Sequence, residues 1–346
     1  MTPSTQPQAL LIRVGRTDPH WWWTDVDHEA LGCQLVCRTL PLGVTKVASP
    51  FSWNFVLLAV RTVKLLFQAR HERFAYIFTF ENDWLTLIIA SVQTLLLVRR
   101  PRHVILQFIM REPTDDVKSR LKYAFMRWCF RSVHLCVCSS RPEAAFYTRV
   151  FAWSADKVAF VPFHTDPAFV KRPVAAEESF ALAAGRTFRD YPTLLDAART
   201  GLDLPVTIVA GRSTFGSVVV PEGVTVRYDI PLPELIDLIA RSAIVVLPLT
   251  QRDISTGQSV LLEAMSMGKP VVVTRVNGTV DYIDHMRTGV LVPPNDSEAL
   301  RDAINRLAGD PALRRRIGEA GREQVIQQYL PDHYAQGVGR ALRNKR

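Results

Sequence analysis

The sequence predicts an α/β chain built as two doubly wound, Rossmann-like domains. Three observations carry this. Apolar β-type runs alternate with helical segments from end to end. The 346 residues exceed the about 100–200 of an ordinary domain. A stretch holding Pro162, Pro167 and Pro173 interrupts the alternation near the middle. Hydrophobic residues make up 48% and charged residues 22%, enough apolar material for two cores and too little charge for a disordered chain.

In the first half, strands are expected over 9–14, 33–37, 75–79, 103–108, 133–138 and 157–161, and helices over 55–68, 85–98 and 117–130. Ser140, Pro142 and Glu143 form a helix start, with a capping serine, a first-turn proline and an acid to close the box; that helix should run to about residue 151. In the second half, strands are expected over 180–183, 206–210, 224–228, 244–247, 271–274 and 289–292. Helices are expected over 191–200, 232–242, 259–267, 280–285, 297–309 and 311–329. The domains are therefore 1–165 and 179–330, joined by a linker over 166–178. A final helical stripe over 331–346 carries Tyr334, Val338 and Leu342.

The net charge of +9 implies anionic partners: nucleic acid, lipid headgroups or phosphorylated small molecules. No nucleic-acid motif or aromatic–basic array is present, so no nucleic-acid partner is expected. The five cysteines are an odd number, and MTPSTQPQ is no secretory leader; both point to reduced thiols in a cytoplasmic protein. Cys136 and Cys138 fall on one face of a strand without further ligand pairs, and Asp25 and Asp27 read as a solvated loop, so no metal site is expected. Residues 56–74 and the run VRRPRH make a basic amphipathic surface. It reads first as a Rossmann helix with snorkelling cations, and as the alternative it suits peripheral contact with the inner face of an anionic membrane. Trp21, Trp22 and Trp23 suit a sugar or lipid platform or a core under a loop.

The chemistry concentrates in STGQSVLLEAMSMGKPVVVTRVNGTVD, residues 255–281. Gly257 precedes a helix whose first amides, at Gly257, Gln258, Ser259 and Val260, stand beside the Ser255, Thr256 and Ser259 hydroxyls, a ready site for phosphate. Glu263 interrupts an apolar helix. A carboxylate there is costly unless something hydrogen-bonds to it, as a ribose diol would; a solvated position is the bland alternative.

This segment resembles the donor site of the family-4 glycosyltransferases of GT-B fold. FALAAGRTFRDYPTLLDA resembles their opening strand and phosphate loop, PELIDLIARSAIVVLPLT the element before the donor helix, and residues 297–329 their last helices. The resemblance covers about residues 139–329. It implies two Rossmann-like domains facing a cleft, a retaining and metal-independent transfer from a UDP- or GDP-type sugar to a hydroxyl acceptor, and no cofactor. It also implies that residues 331–346 cross back to the N-terminal domain. Glu263 matches the second of two glutamates and would hold the donor ribose. Gly185 and Arg186 match the loop facing the diphosphate, and Arg189 stands near a second cation. Ser255 stands where the first glutamate is expected, and Asp253 lies two residues before it; the catalytic set implied is Arg186, Arg189 and Asp253. A catalytically inactive nucleotide-sugar binder is the alternative that Ser255 favours. For the acceptor, residues just after strands are the candidates: Gly15, Arg16, Glu81 and Arg111.

Overall fold

The computed structural model of the chain describes residues 6–14, 26–40, 53–80, 84–173, 175–215 and 218–345. These divide into two compact units, Met1–Val161 with Asp332–Arg346, and Pro162–Pro331.

The first unit holds a six-stranded parallel sheet: β1 (Gln8–Val14), β2 (Gln34–Leu40), β3 (Tyr76–Phe80), β4 (Arg102–Leu106), β5 (Leu135–Cys138) and β6 (Val158–Phe160), in the order β2-β1-β3-β4-β5-β6. Its helices are α1 (His28–Leu31), α2 (Trp53–His71), α3 (Trp84–Leu95), α4 (Val117–Cys129) and α5 (Arg141–Phe151). Strands with continuous buried runs, such as Ile77, Phe78, Val104 and Ile105, are what a parallel sheet covered on both faces requires. Ser140 caps α5 through the Glu143 amide at 3.2 Å, as the motif predicts. Asp27 is a cap too: its carboxylate accepts from the Glu29 amide at 2.9 Å and starts the one-turn α1, while Asp25 and the tryptophans at 21–23 lie outside the described residues. Among the described residues, no cluster of three or more His, Cys, Asp or Glu is placed to hold a metal, and all five cysteines are free thiols. No helix among them is long and apolar enough to cross a membrane.

The second unit begins at Pro162, and α6 (Pro167–Val170) lies in it. The stretch 166–178, expected to be a linker, is thus part of this unit, and Val170 packs on its core. The remaining elements are β7 (Glu178–Ala184), α7 (Tyr191–Arg199), β8 (Val206–Ala210), β9 (Val224–Tyr228), α8 (Leu232–Arg241), β10 (Ser242–Leu247), α9 (Gln258–Ser266), β11 (Val271–Thr274), β12 (Val290–Val292), α10 (Ser297–Gly309) and α11 (Pro311–Gln328). The sheet order is β12-β11-β10-β7-β8-β9, all parallel. The chain order reverses between β7 and β10, and the crevice at that point is where doubly wound sheets take ligands.

One expected helix, over 280–285, does not form. The Thr279 hydroxyl donates to the carbonyls of Thr274 and Val276 at 2.7 and 3.0 Å and accepts from the Val276 amide at 3.1 Å. That side chain closes a turn, and local side-chain bonds of this kind compete with a helix. The last helix, α12 (Pro331–Arg343), clusters with the first unit: Tyr334, Ala335, Val338 and Leu342 share a core with Ala9, Leu11, Leu31 and Val161.

Candidate functional site

The carboxyl ends of five strands of the second unit converge on one site. Gly185 and Arg186 follow β7, Gly211 and Arg212 follow β8, and Asp229 follows β9. The loop 248–257 follows β10, and the loop 275–279 follows β11.

Hydrogen bonds tie these loops together. The Asp190 amide donates to the Pro248 carbonyl at 2.9 Å and the Thr250 amide to the Phe188 carbonyl at 3.1 Å. A Cβ built on Gly257 would meet the Leu249 side chain at 3.0 Å, so the same short segment touches both the β7 loop and the start of α9. On the far side, a Cβ on Gly278 would lie 2.5 Å from the Thr256 amide nitrogen; the β11 loop passes so close that only glycine fits. Arg189 lies across the β7 turn. Its Nε donates to the Ala184 carbonyl at 2.8 Å and one Nη to the Thr187 carbonyl at 3.0 Å. Gly185 permits this at φ +135°, where a Cβ would fall 2.4 Å from the guanidinium. Arg189 is thus first a brace for its loop. Arg186 is exposed and pairs with Asp229 at 3.0 Å; Arg212 reaches the other oxygen of the same carboxylate at 3.6 Å. The sequence reading missed Arg212 and Asp229, although the rule that selects residues just after strands would have found both.

The α9 start combines features that suit an anionic ligand. Its first amides have no intrahelical acceptor, and the helix dipole adds positive potential there. Glu263 sits in the second turn, mostly buried, and its carboxylate makes no hydrogen bond or ion pair with any described residue. Burial pushes its carboxyl up to about 7. Gln258 is buried with its Nε2 unpaired. Thr256, Gly257 and Val260 are partly exposed and Ser259 is exposed. Ser255 is buried at 2% exposure, and Asp253 is exposed, its carbonyl accepting from Asn277 at 3.3 Å.

The acceptor candidates belong to the first unit. Gly15, Arg16 and Glu81 lie outside the described residues. They follow β1 and β3, the pair at which the first sheet reverses its strand order. Arg111 is exposed after β4, its carbonyl accepting from the Tyr123 hydroxyl. His164 is a buried loop residue, stacked on Phe163 at 5.2 Å.

Residues 192–310 match the family described as Glycosyl transferases group 1. The chain is 38% identical over 88 residues to an alpha-D-kanosaminyltransferase of Streptomyces kanamyceticus, covering 25% of this chain and 21% of that one. It is 29% identical over 201 residues to a D-inositol 3-phosphate glycosyltransferase of an Arthrobacter, covering 53% and 45%. The chain spans under half the length of these curated relatives. A solved structure of HepE of Anabaena in complex with UDP-glucose superposes with a TM-score of 0.63 at 17% identity, over 97% of this chain and 99% of that one.

Proposed function

We infer, from a C-terminal domain that belongs to the Glycosyl transferases group 1 family on a chain of GT-B fold, that this protein moves a sugar from a nucleoside-diphosphate sugar to a hydroxyl acceptor. The observation that carries the reading is Glu263: a mostly buried carboxylate without a partner, one turn inside a helix whose first amides have no intrahelical acceptor. A ribose supplies two hydroxyl donors to the carboxylate. A diphosphate accepts from the amides of Gly257, Gln258, Ser259 and Val260, and its charge is met by Arg186. Positive charge set where the leaving diphosphate develops its own lowers the barrier. Arg189 keeps the loop in shape, and its remaining donors are left for the same charge.

The donor is of UDP or GDP type, and no further cofactor is needed. The transfer is retaining and independent of metal, with Asp253 the acid nearest the sugar. The acceptor is a saccharide, lipid-linked or small-molecule hydroxyl, received by the first unit near Gly15, Arg16, Glu81 and Arg111. Peripheral contact with an anionic membrane suits the net charge. Ser255 favours a second reading, a donor-binding protein without turnover. Incubation with a panel of UDP- and GDP-sugars and candidate acceptors, scored by nucleoside diphosphate release, decides between them. Acceptor-dependent release supports transfer. Nucleotide binding in calorimetry without release supports the second reading, and neither binding nor release overturns both.

A further inference from the structure

The first unit carries a cavity of about 770 Å³ that the proposed transfer does not use. It opens at the amino-terminal edge of the sheet: Arg102 begins β4, His134 immediately precedes β5 and Lys157 immediately precedes β6. Ligands of doubly wound sheets gather at the opposite, carboxyl-terminal edge, so this cavity is a separate place on the same unit.

Six cations line it, Arg99, Arg100, Arg102, Arg131, Lys157 and Lys345, against the single carboxylate of Asp156. That carboxylate is already engaged by Lys345 at 3.3 Å. The Lys157 ammonium donates to the Arg131 carbonyl at 2.8 Å, and the four arginines make no ion pair with any described residue. His134 stands among them with its Nε2 buried and unpaired. Burial first, and then the cations Lys345, Arg102 and Lys157, hold its imidazole down at about 4. Like charges gathered this densely repel one another, and a bound polyanion would offset that cost. Apolar side chains stand at the rim: Leu97 and Trp128 line the cavity itself, and Leu95, Leu96 and Phe125 are exposed close by in sequence. Of the run VRRPRH, three arginines serve the cavity. His103 instead belongs to the core, 2.9 Å from the Thr79 hydroxyl.

We propose that this cavity binds a phosphate group, presented either by an anionic lipid headgroup or by a soluble phosphorylated compound. Guanidinium groups match phosphate oxygens in pairs, which fits four arginines converging without acids of their own.

The test uses the full chain with Arg186→Glu added throughout, so that anion binding at α9 is weakened and common to every arm. Triple reversal Arg99→Glu, Arg100→Glu, Arg131→Glu changes exposed side chains. A control reversal of equal charge, Arg287→Glu, Arg315→Glu, Arg316→Glu, changes exposed cations elsewhere. Two probes separate the sources: inorganic pyrophosphate in calorimetry, and sedimentation with vesicles of phosphatidylglycerol against vesicles of phosphatidylcholine. The expected result is a loss of roughly tenfold or more for at least one anionic probe in the pocket reversal, with about twofold or less in the control. Loss for the vesicles alone assigns a lipid headgroup, and loss for pyrophosphate assigns a soluble phosphate. Equal binding by the unreversed chain and the pocket reversal, or equal loss in pocket and control reversals, overturns the proposal. Melting temperatures and circular dichroism confirm folding. Should the triple reversal not fold, Arg131→Glu alone, on an exposed turn, carries the same comparison.

Discussion

Glu263 sets stability against affinity. Its folded pKa is raised to about 7 from an ordinary 4.5, so the folded protein holds a proton that the unfolded chain releases. Stability is then highest below pH 4.5 on this account and falls as pH rises through 7. Glu263→Gln removes that loss. The ligand-free variant should melt higher than the parent at pH 8, by the equivalent of about 1–3 kcal/mol, with the gain gone near pH 4. The same change replaces one acceptor oxygen by an amide donor, so UDP or GDP affinity should fall about tenfold. A variant that melts no higher and binds nucleotide unchanged would make Glu263 an ordinary surface residue. At Gly185, alanine would place a Cβ 2.4 Å from the Arg189 guanidinium at φ +135°, and the brace across the turn must open. Gly185→Ala should cost about 1–3 kcal/mol and lower donor turnover, while Arg186→Ala should weaken donor binding with little change in melting. Glu263, Gly185 and Arg186 were legible in the sequence because each sits at a signature position. The place of Asp229 after a strand was legible too, but its pairing with Arg186 was not, because the two are distant in the chain and only the sheet brings them together.

At the scale of elements, legibility followed hydrophobic patterning. Val206–Ala210, Val224–Tyr228, Val271–Thr274 and Ser297–Gly309 fall on their expected bounds: two buried apolar runs, an alternating edge strand and an amphipathic helix with its Asp296 cap. The one-turn helices α1 and α6 were invisible: four residues are too few to show a 3.6-residue period. The helix expected at 280–285 failed because one threonine hydroxyl outbid the helix for local backbone groups. The loops around α9 depend on contact between elements, and Gly278 is their tightest point. Gly278→Ala would drive a Cβ into the Thr256 backbone and force the α9 entry apart. Nucleotide affinity should drop at least tenfold in calorimetry with the α9 helix still formed. Unchanged affinity would show that the entry is not part of the site. The amide end of α9 and Arg186 supply positive charge without a metal, so turnover should persist in EDTA. Loss of activity in chelator with recovery in magnesium or manganese would refute this.

At the scale of the whole molecule, the chain leaves its first unit at Val161, completes the second, and returns at Asp332. The return is a structural part of the first unit. Tyr334, Val338 and Leu342 are almost fully buried in the cluster that holds Ala9, Leu11, Leu31 and Val161. Burying side chains of this size stabilises by about 1.5–3 kcal/mol each, so removing the helix forfeits on the order of 5 kcal/mol. That is comparable with the ~5–15 kcal/mol by which a whole domain is stable. Deletion of residues 331–346 should therefore act unequally on the two units. The transition belonging to the first unit should fall steeply or vanish in calorimetry, while the second unit, whose core contains none of these side chains, keeps its own transition and its nucleotide-dependent shift. Sugar transfer should be lost because the acceptor side no longer folds. Any remaining turnover of the donor should be hydrolysis to free sugar. Loss of a restraint on hinge motion, with the first unit still folded, is the competing cause of the same loss. Calorimetry separates the two causes: an unaltered first transition with transfer lost would favour the hinge, and full transfer with both transitions unaltered would leave 331–346 no role in either.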